Sequence, residues 1–169
     1  MKFIDKEHEK FWKVNILLLQ EYGKENSYYK ALIYTLGICE TTRNNFNKIC
    51  NLRTGEINID SINAKYQTST SSKVTRMAFS LFNGCNYDSE KDVENGKISP
   101  NYNVSDIFCC SYAPYFFEAI KIKYPEYYRE SVIKEDFEKK LKDIIRAEER
   151  KVRSEKMKRA REFKKERER

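Results

Sequence analysis

The chain has 169 residues, 40% hydrophobic and 14% aromatic, with five glycines and three prolines. That length and apolar content support one compact domain with an appendage, and the few turn residues argue against a many-stranded β fold. The longest apolar run, Ile16 to Leu19, is far short of the roughly 20 residues that would cross a membrane, and the start, Met1 to Lys6, is charged rather than apolar, so a soluble cytoplasmic protein with no membrane partner is expected.

The net charge of +7 is unevenly spread. Residues 146–169 carry 12 basic against 6 acidic side chains, whereas residues 1–145 carry 21 against 20. The pattern is a nearly neutral body with a cationic arm. Such an arm suits a polyanion, because each cation placed beside a phosphate releases a condensed counterion.

In chain order, Asp5 to Tyr22 reads as an amphipathic helix with Phe11, Trp12, Val14, Leu18 and Leu19 on one face and Gly23 as its stop. His8, one turn before Phe11, is expected as a partly covered edge residue. Ser27 to Leu36 follows as a second helix, capped by Asn26 or Ser27 and ended by Gly37. Ile38 to Glu40 makes a corner into a third helix, Thr41 to Asn51, with Phe46, Ile49 and Cys50 inward. Its outer face, Thr42, Arg43, Asn44, Asn45, Asn47 and Lys48, has the short polar and basic groups that meet phosphates and base edges. A helix-turn-helix template with its turn at Gly37 fits Ile38 and Phe46 but puts Arg43 where an apolar residue belongs.

An extended stretch, Ile57 to Ile59, leads to a brief helix capped by Asp60 and running to Tyr66. The polar run Gln67 to Ser72 then feeds a helix over Lys73 to Asn83, with Val74, Met77, Ala78, Leu81 and Phe82 as its core stripe and Gly84 as its stop. Thr42 with Arg43, and Thr75 with Arg76, stand as two Thr-Arg pairs at helix starts. They suit a phosphate or carboxylate, or else pair with Glu40 and other carboxylates of the body.

Asn86 to Gly96 alternates Asp88, Glu90, Asp92 and Glu94. As a calcium loop it fails, because Gly96 is misplaced and no twelfth-position Glu follows Asp88. It reads as a solvated acidic loop, or a patch for a basic groove of a partner. Pro100 and Asn101 mark a turn, Val104 to Cys110 is a short apolar segment, and Pro114 opens a helix through Lys123 that Pro125 ends. The tyrosines of this stretch belong to the core, or stack on bases where they stay outside. Ser131 caps a final helix to Arg169. Its apolar stripe fades after Ile145, so the first half is expected to pack on the body and the second to order on a partner, with a coiled-coil seam as the alternative.

The expected fold is therefore all-α: a compact domain of about six helices over residues 1–128 and a long charged helix or tail over 129–169. Five cysteines without C-x-x-C spacing (Cys39, Cys50, Cys85, Cys109 and Cys110) and a single histidine point to small buried thiols rather than zinc or a disulfide framework. Neither cofactor nor metal is expected, and no catalytic signature stands out.

Three stretches carry a resemblance: YYKALIYTLGICETTRNNF from Tyr28 to Phe46, SSKVTRMAFSLFNG from Ser71 to Gly84, and IFCCSYAPYFFEAIKIKYPEYY from Ile107 to Tyr128. Together they resemble a family of short, uncharacterised proteins of clostridia and related Firmicutes, often carried on phages and mobile elements. It is similar to the group from which an anti-CRISPR inhibitor of type II RNA-guided nucleases comes. The resemblance covers about the first 128 residues and brings no catalytic residues with it.

It implies a non-enzymatic binding protein that engages a host nucleoprotein or nuclease; the basic tail, which the resemblance does not cover, is expected from its charge to bind nucleic acid, DNA first. The residues singled out for that contact are Arg43, Asn44, Lys48, Lys73 and Arg76 in the body, and Arg150, Lys151, Arg153, Lys158, Arg159 and Arg161 in the tail. The alternatives are a DNA-binding regulator using Thr41 to Lys48, and an enzyme or sequestering protein for a phosphorylated small ligand, held by Glu40, Thr41, Thr42, Arg43 and Tyr34.

Overall fold

The computed structural model describes residues 1–128, 139–151 and 153–154, and the chain divides into two units at Tyr127/Tyr128. The fold is all-α apart from one two-residue antiparallel pair. No helix among the described residues is long and apolar enough to cross a membrane.

In the first unit α1 is Lys6–Glu21, α2 Ser27–Gly37, α3 Glu40–Asn44 and α4 Phe46–Ile49. A strand pair, β1 Cys50–Asn51 and β2 Glu56–Ile57, comes next, in the register Cys50 to Ile57 and Asn51 to Glu56. A 3-10 turn at Ile59–Asn63, α5 Ser69–Asn83, α6 Glu90–Glu94, a second 3-10 turn at Pro100–Tyr102, α7 Val104–Phe108 and α8 Ala113–Lys123 complete it.

α2 is the centre because it is apolar all round: every residue from Ala31 to Gly37 is buried. One side of it packs Leu32, Ile33 and Leu36 with Leu19 of α1, Phe46, Ile49, Ile62 and Phe79 of α5. The other side packs Ala31 and Tyr34 with Val74 and Met77 of α5, Ile107 of α7 and Phe116 of α8. Of the expected α5 stripe, Val74, Met77, Ala78 and Leu81 are buried and Phe82 is partly buried, while Phe79, outside that stripe, is buried as well.

Local chemistry sets the boundaries. Asp5 caps α1 by accepting from His8 N, and Asn26 caps α2 by accepting from Tyr28 N and Tyr29 N. α5 begins at Ser69, four residues before the expected Lys73, because Thr68 and Ser71 form a reciprocal capping box inside the polar run. Thr75 and Arg76 therefore lie in mid-helix rather than at a helix start. Gly84 ends α5 with φ +75, a left-handed conformation that glycine adopts without penalty.

Gly37 plays a different part from the expected stop: it is helical, and it is small because His8 and Phe11 pack directly on it. His8 is likewise no edge residue. It is fully buried, with Nε2 2.9 Å from the Tyr34 carbonyl oxygen and its ring edge-on to Phe3. Val14, in contrast, is exposed rather than part of the core face.

The expected third helix breaks at Asn45, which sits at φ −113, ψ 17, and ends in β1 instead of continuing to Asn51. The helix expected after Asp60 is only the 3-10 turn, without a side-chain cap; Asp60 Oδ1 accepts from Glu90 N, 30 residues on. The acidic loop contains α6, capped by Ser89. Three of the five free thiols, Cys39, Cys50 and Cys85, are buried, and Cys109 is exposed.

In the second unit, residues 139–151 and 153–154 are helical and exposed. The start of the expected long helix at Ser131 and its end at Arg169 lie outside the described residues.

Candidate functional site

The groups of the polar face singled out in the sequence are divided between α3 and α4 and differ in availability: Thr42 is buried. Asn44, Asn47 and Lys48 are exposed. Arg43 is not. Its guanidinium turns back to donate to the Gly37 and Ile38 carbonyls, at 2.6 and 3.4 Å, and meets Asp5 Oδ2 at 3.3 Å. The charge that fits badly in a helix-turn-helix template thus satisfies the open carbonyls at the end of α2. No continuous helix presents Thr41 to Lys48, since α3 and α4 are separate turns.

Arg76 is drawn inward as well. Its Nε donates to Asp88 Oδ1 at 2.7 Å, both side chains being largely covered. Asp88 also accepts from Ser99 Oγ at 2.6 Å and Asn101 Nδ2 at 2.8 Å. Burial works against ionisation of this carboxyl, but the hydrogen bonds from Arg76, Ser99 and Asn101 hold it below its ordinary value. Lys73 Nζ donates to the Cys109 carbonyl at 2.8 Å. The partners of Arg43 and Arg76 are Asp5 and Asp88, not Glu40.

The groups considered for a phosphorylated ligand are dispersed. Thr42 is buried and donates to the Leu36 and Cys39 carbonyls, Tyr34 is buried with its hydroxyl on the Lys2 carbonyl, and Glu40 is exposed. Burial pushes the Tyr34 phenol well up and the Cys50 thiol up to about 12, so neither is a ready nucleophile. Among the described residues no group of His, Cys, Asp and Glu is arranged to hold a metal ion.

Beside Lys48 opens a groove of about 830 Å³, within the size range of ligand sites. Its walls come from α4, both strands, the 3-10 turn and α6, and include Glu56, Asp60 and Glu90 against the single cation Lys48. Lys48 hydrogen-bonds Asn45 Oδ1 at 3.0 Å and stands 5.4 Å from the centre of the Tyr66 ring. Three carboxylates to one ammonium make this groove a poor phosphate site and a good complement for a basic surface. Sequence reasoning named Lys48 and missed Glu56, Asp60 and Glu90 as its companions. They come from separate segments, and only the alternating acids of the 86–96 stretch hinted at their sign.

In the tail, Arg150, Lys151 and Arg153 are exposed, with Lys151 3.7 Å from Glu148 one turn earlier. Such an exposed pair is weak and leaves the cation open to a stronger anion. Lys158, Arg159 and Arg161 lie outside the described residues.

A family model described as a family of unknown function, DUF6075, matches residues 1–136. The chain belongs to that family. The match takes in the whole helical body and stops ahead of the most basic stretch. No curated protein and no solved structure matches.

Proposed function

We propose that this protein is a non-enzymatic binding protein whose cationic C-terminal segment attaches to a polyanion while its helical body docks on a protein partner. The observation that carries the reading is the segregation of charge: +6 over residues 146–169 against +1 over the rest. Arg43, Arg76 and Lys73 are committed to groups of the body, whereas Arg150, Lys151 and Arg153 of the tail are exposed to solvent. Exposed Asn47 and Lys48 line the acidic groove, so the body's part is protein contact before nucleic-acid contact.

In its sharpest form the target is an RNA-guided DNA nuclease, and here the sequence resemblance supplies the motive. Such a nuclease holds its heteroduplex in a positive channel and must rearrange before cutting. A groove rimmed by Glu56, Asp60 and Glu90 complements that channel, and a basic tail complements the nucleic acid lying in it.

The test compares the full chain with one ending at Arg150. Fluorescence anisotropy with labelled duplex DNA should show clear loss of affinity on truncation, and circular dichroism should show the helical body intact. Equal affinity of the two chains would refute the tail's role.

A further inference from the structure

Tyr28 opens α2 and Lys123 closes α8, and the packing of these helices brings the two side chains together. Pro125 prevents α8 from continuing, so the chain turns, with Tyr127 N donating to the Tyr124 carbonyl at 3.2 Å. The turn sets the Tyr127 ring 6.3 Å from that of Tyr124. Lys123 lies by the rings of Tyr28 and Tyr124. Its Nζ is 2.8 Å from the centre of the Tyr28 ring and 5.6 Å from that of Tyr124.

Two features set this cluster apart from ordinary surface tyrosines. The first is the lysine: Lys123 is only 6% exposed, yet no carboxylate among the described residues pairs with it, whereas Lys30 has Glu25 at 2.7 Å. The ring faces offset part of the cost of removing an ammonium from water, and the remainder stands uncompensated. Burial accordingly lowers the lysine's pKa. The second is the rings: Tyr28, Tyr124 and Tyr127 are 51%, 42% and 81% exposed, presenting broad aromatic faces to solvent around that cation.

Each feature supplies what the other lacks as a nucleotide site. A phosphate supplies the missing counter-charge, and a nucleobase covers a ring face. A double helix cannot use the rings, because its bases are already stacked on one another; an unpaired strand can. We infer that Lys123 with Tyr28, Tyr124 and Tyr127 forms a binding site for nucleotides of single-stranded nucleic acid, the phosphate at the ammonium and the bases on the rings. The inference rests on the polyanion reading and sharpens it, adding to the strand-indifferent attraction of the tail a body site that selects unpaired bases.

The experiment measures anisotropy of a labelled oligothymidylate and of the same strand paired with oligoadenylate, using the full chain. The single strand should bind more tightly than the duplex. Tyr28→Ala with Tyr127→Ala should weaken single-strand binding about tenfold or more, from the usual worth of a base-aromatic stack. Duplex binding should be unchanged, and Tyr28→Phe with Tyr127→Phe should retain wild-type affinity. Lys123→Met, which keeps the stem and removes the charge, should lower single-strand affinity and reduce its salt dependence. If single strand and duplex bind alike and the alanine variant matches wild type, this site is refuted while the tail's role stands. If the wild type binds neither at low salt, the polyanion reading falls and the site with it.

Discussion

Acid should weaken this fold through one residue. His8 is the chain's single histidine, so between about pH 7 and pH 5 no other side chain of ordinary pKa titrates. Its Nε2 faces the Tyr34 carbonyl at 2.9 Å and its Nδ1 faces the Ile4 amide at 3.5 Å, an arrangement that a neutral ring with its proton on Nε2 satisfies on both sides. Burial, helped by the nearby Arg43 charge, lowers its pKa from 6.5 to about 4, against the opposing pull of the Tyr34 carbonyl and Asp5. The unfolded chain takes up the proton near 6.5 while the folded chain resists it to about 4, so stability is full above 6.5 and falls as pH drops through that interval. Linkage puts the loss at roughly 1 kcal/mol at about pH 5.5 and roughly 2–3 kcal/mol at about pH 4.5. Urea unfolding followed by the fluorescence of Trp12, the sole tryptophan, measures it directly. The midpoint should drop by roughly 0.5–1 M between about pH 7 and pH 5.5 with an unchanged slope. His8→Gln should abolish the dependence over this range. Identical wild-type midpoints at the two pH values would refute the buried neutral histidine.

Arg76→Ala removes the counter-charge from a covered carboxylate and should cost about 3 kcal/mol, seen as a fall of about 10 °C in Tm, without altering nucleic-acid affinity. Arg43→Ala leaves the α2 carbonyls without their donor and should cost about 1–2 kcal/mol, whereas Asn44→Ala and Lys48→Ala should stay within about 0.5 kcal/mol in the same melts. Gly37→Ala should destabilise although alanine favours helices, because its Cβ would lie 2.6 Å from His8 Cδ2 and 2.9 Å from Phe11 Cδ1; a thermal melt should show a loss of about 1–3 kcal/mol.

What the sequence reveals and conceals follows the range of the interactions. α1, α2, α5 and α8 were legible because their apolar spacing and flanking Asn, Gly and Pro signals are local. The start of α5 was hidden by its polarity: Gln67 to Ser72 reads as a loop until Thr68 and Ser71 are seen to cap each other. His8 looked peripheral because it stands one turn ahead of Phe11 and Trp12 on α1; its cover comes from Phe3, Tyr34 and the bare backbone at Gly37. Arg43 looked available for a ligand because its acceptors, the last carbonyls of α2, are a consequence of the corner and not of composition. The acidic groove and the Tyr28–Lys123 cluster join residues tens of positions apart, and no periodicity encodes such pairings.

The central claim is that the segregated cations of the C-terminal segment bind phosphate. It is tested most directly by the salt dependence of duplex DNA binding by the full chain. If Arg150, Lys151, Arg153, Lys158, Arg159 and Arg161 each displace a counterion, a plot of log affinity against log salt should fall with a slope of about −5. A slope near zero, or no measurable binding at low salt, would contradict the account.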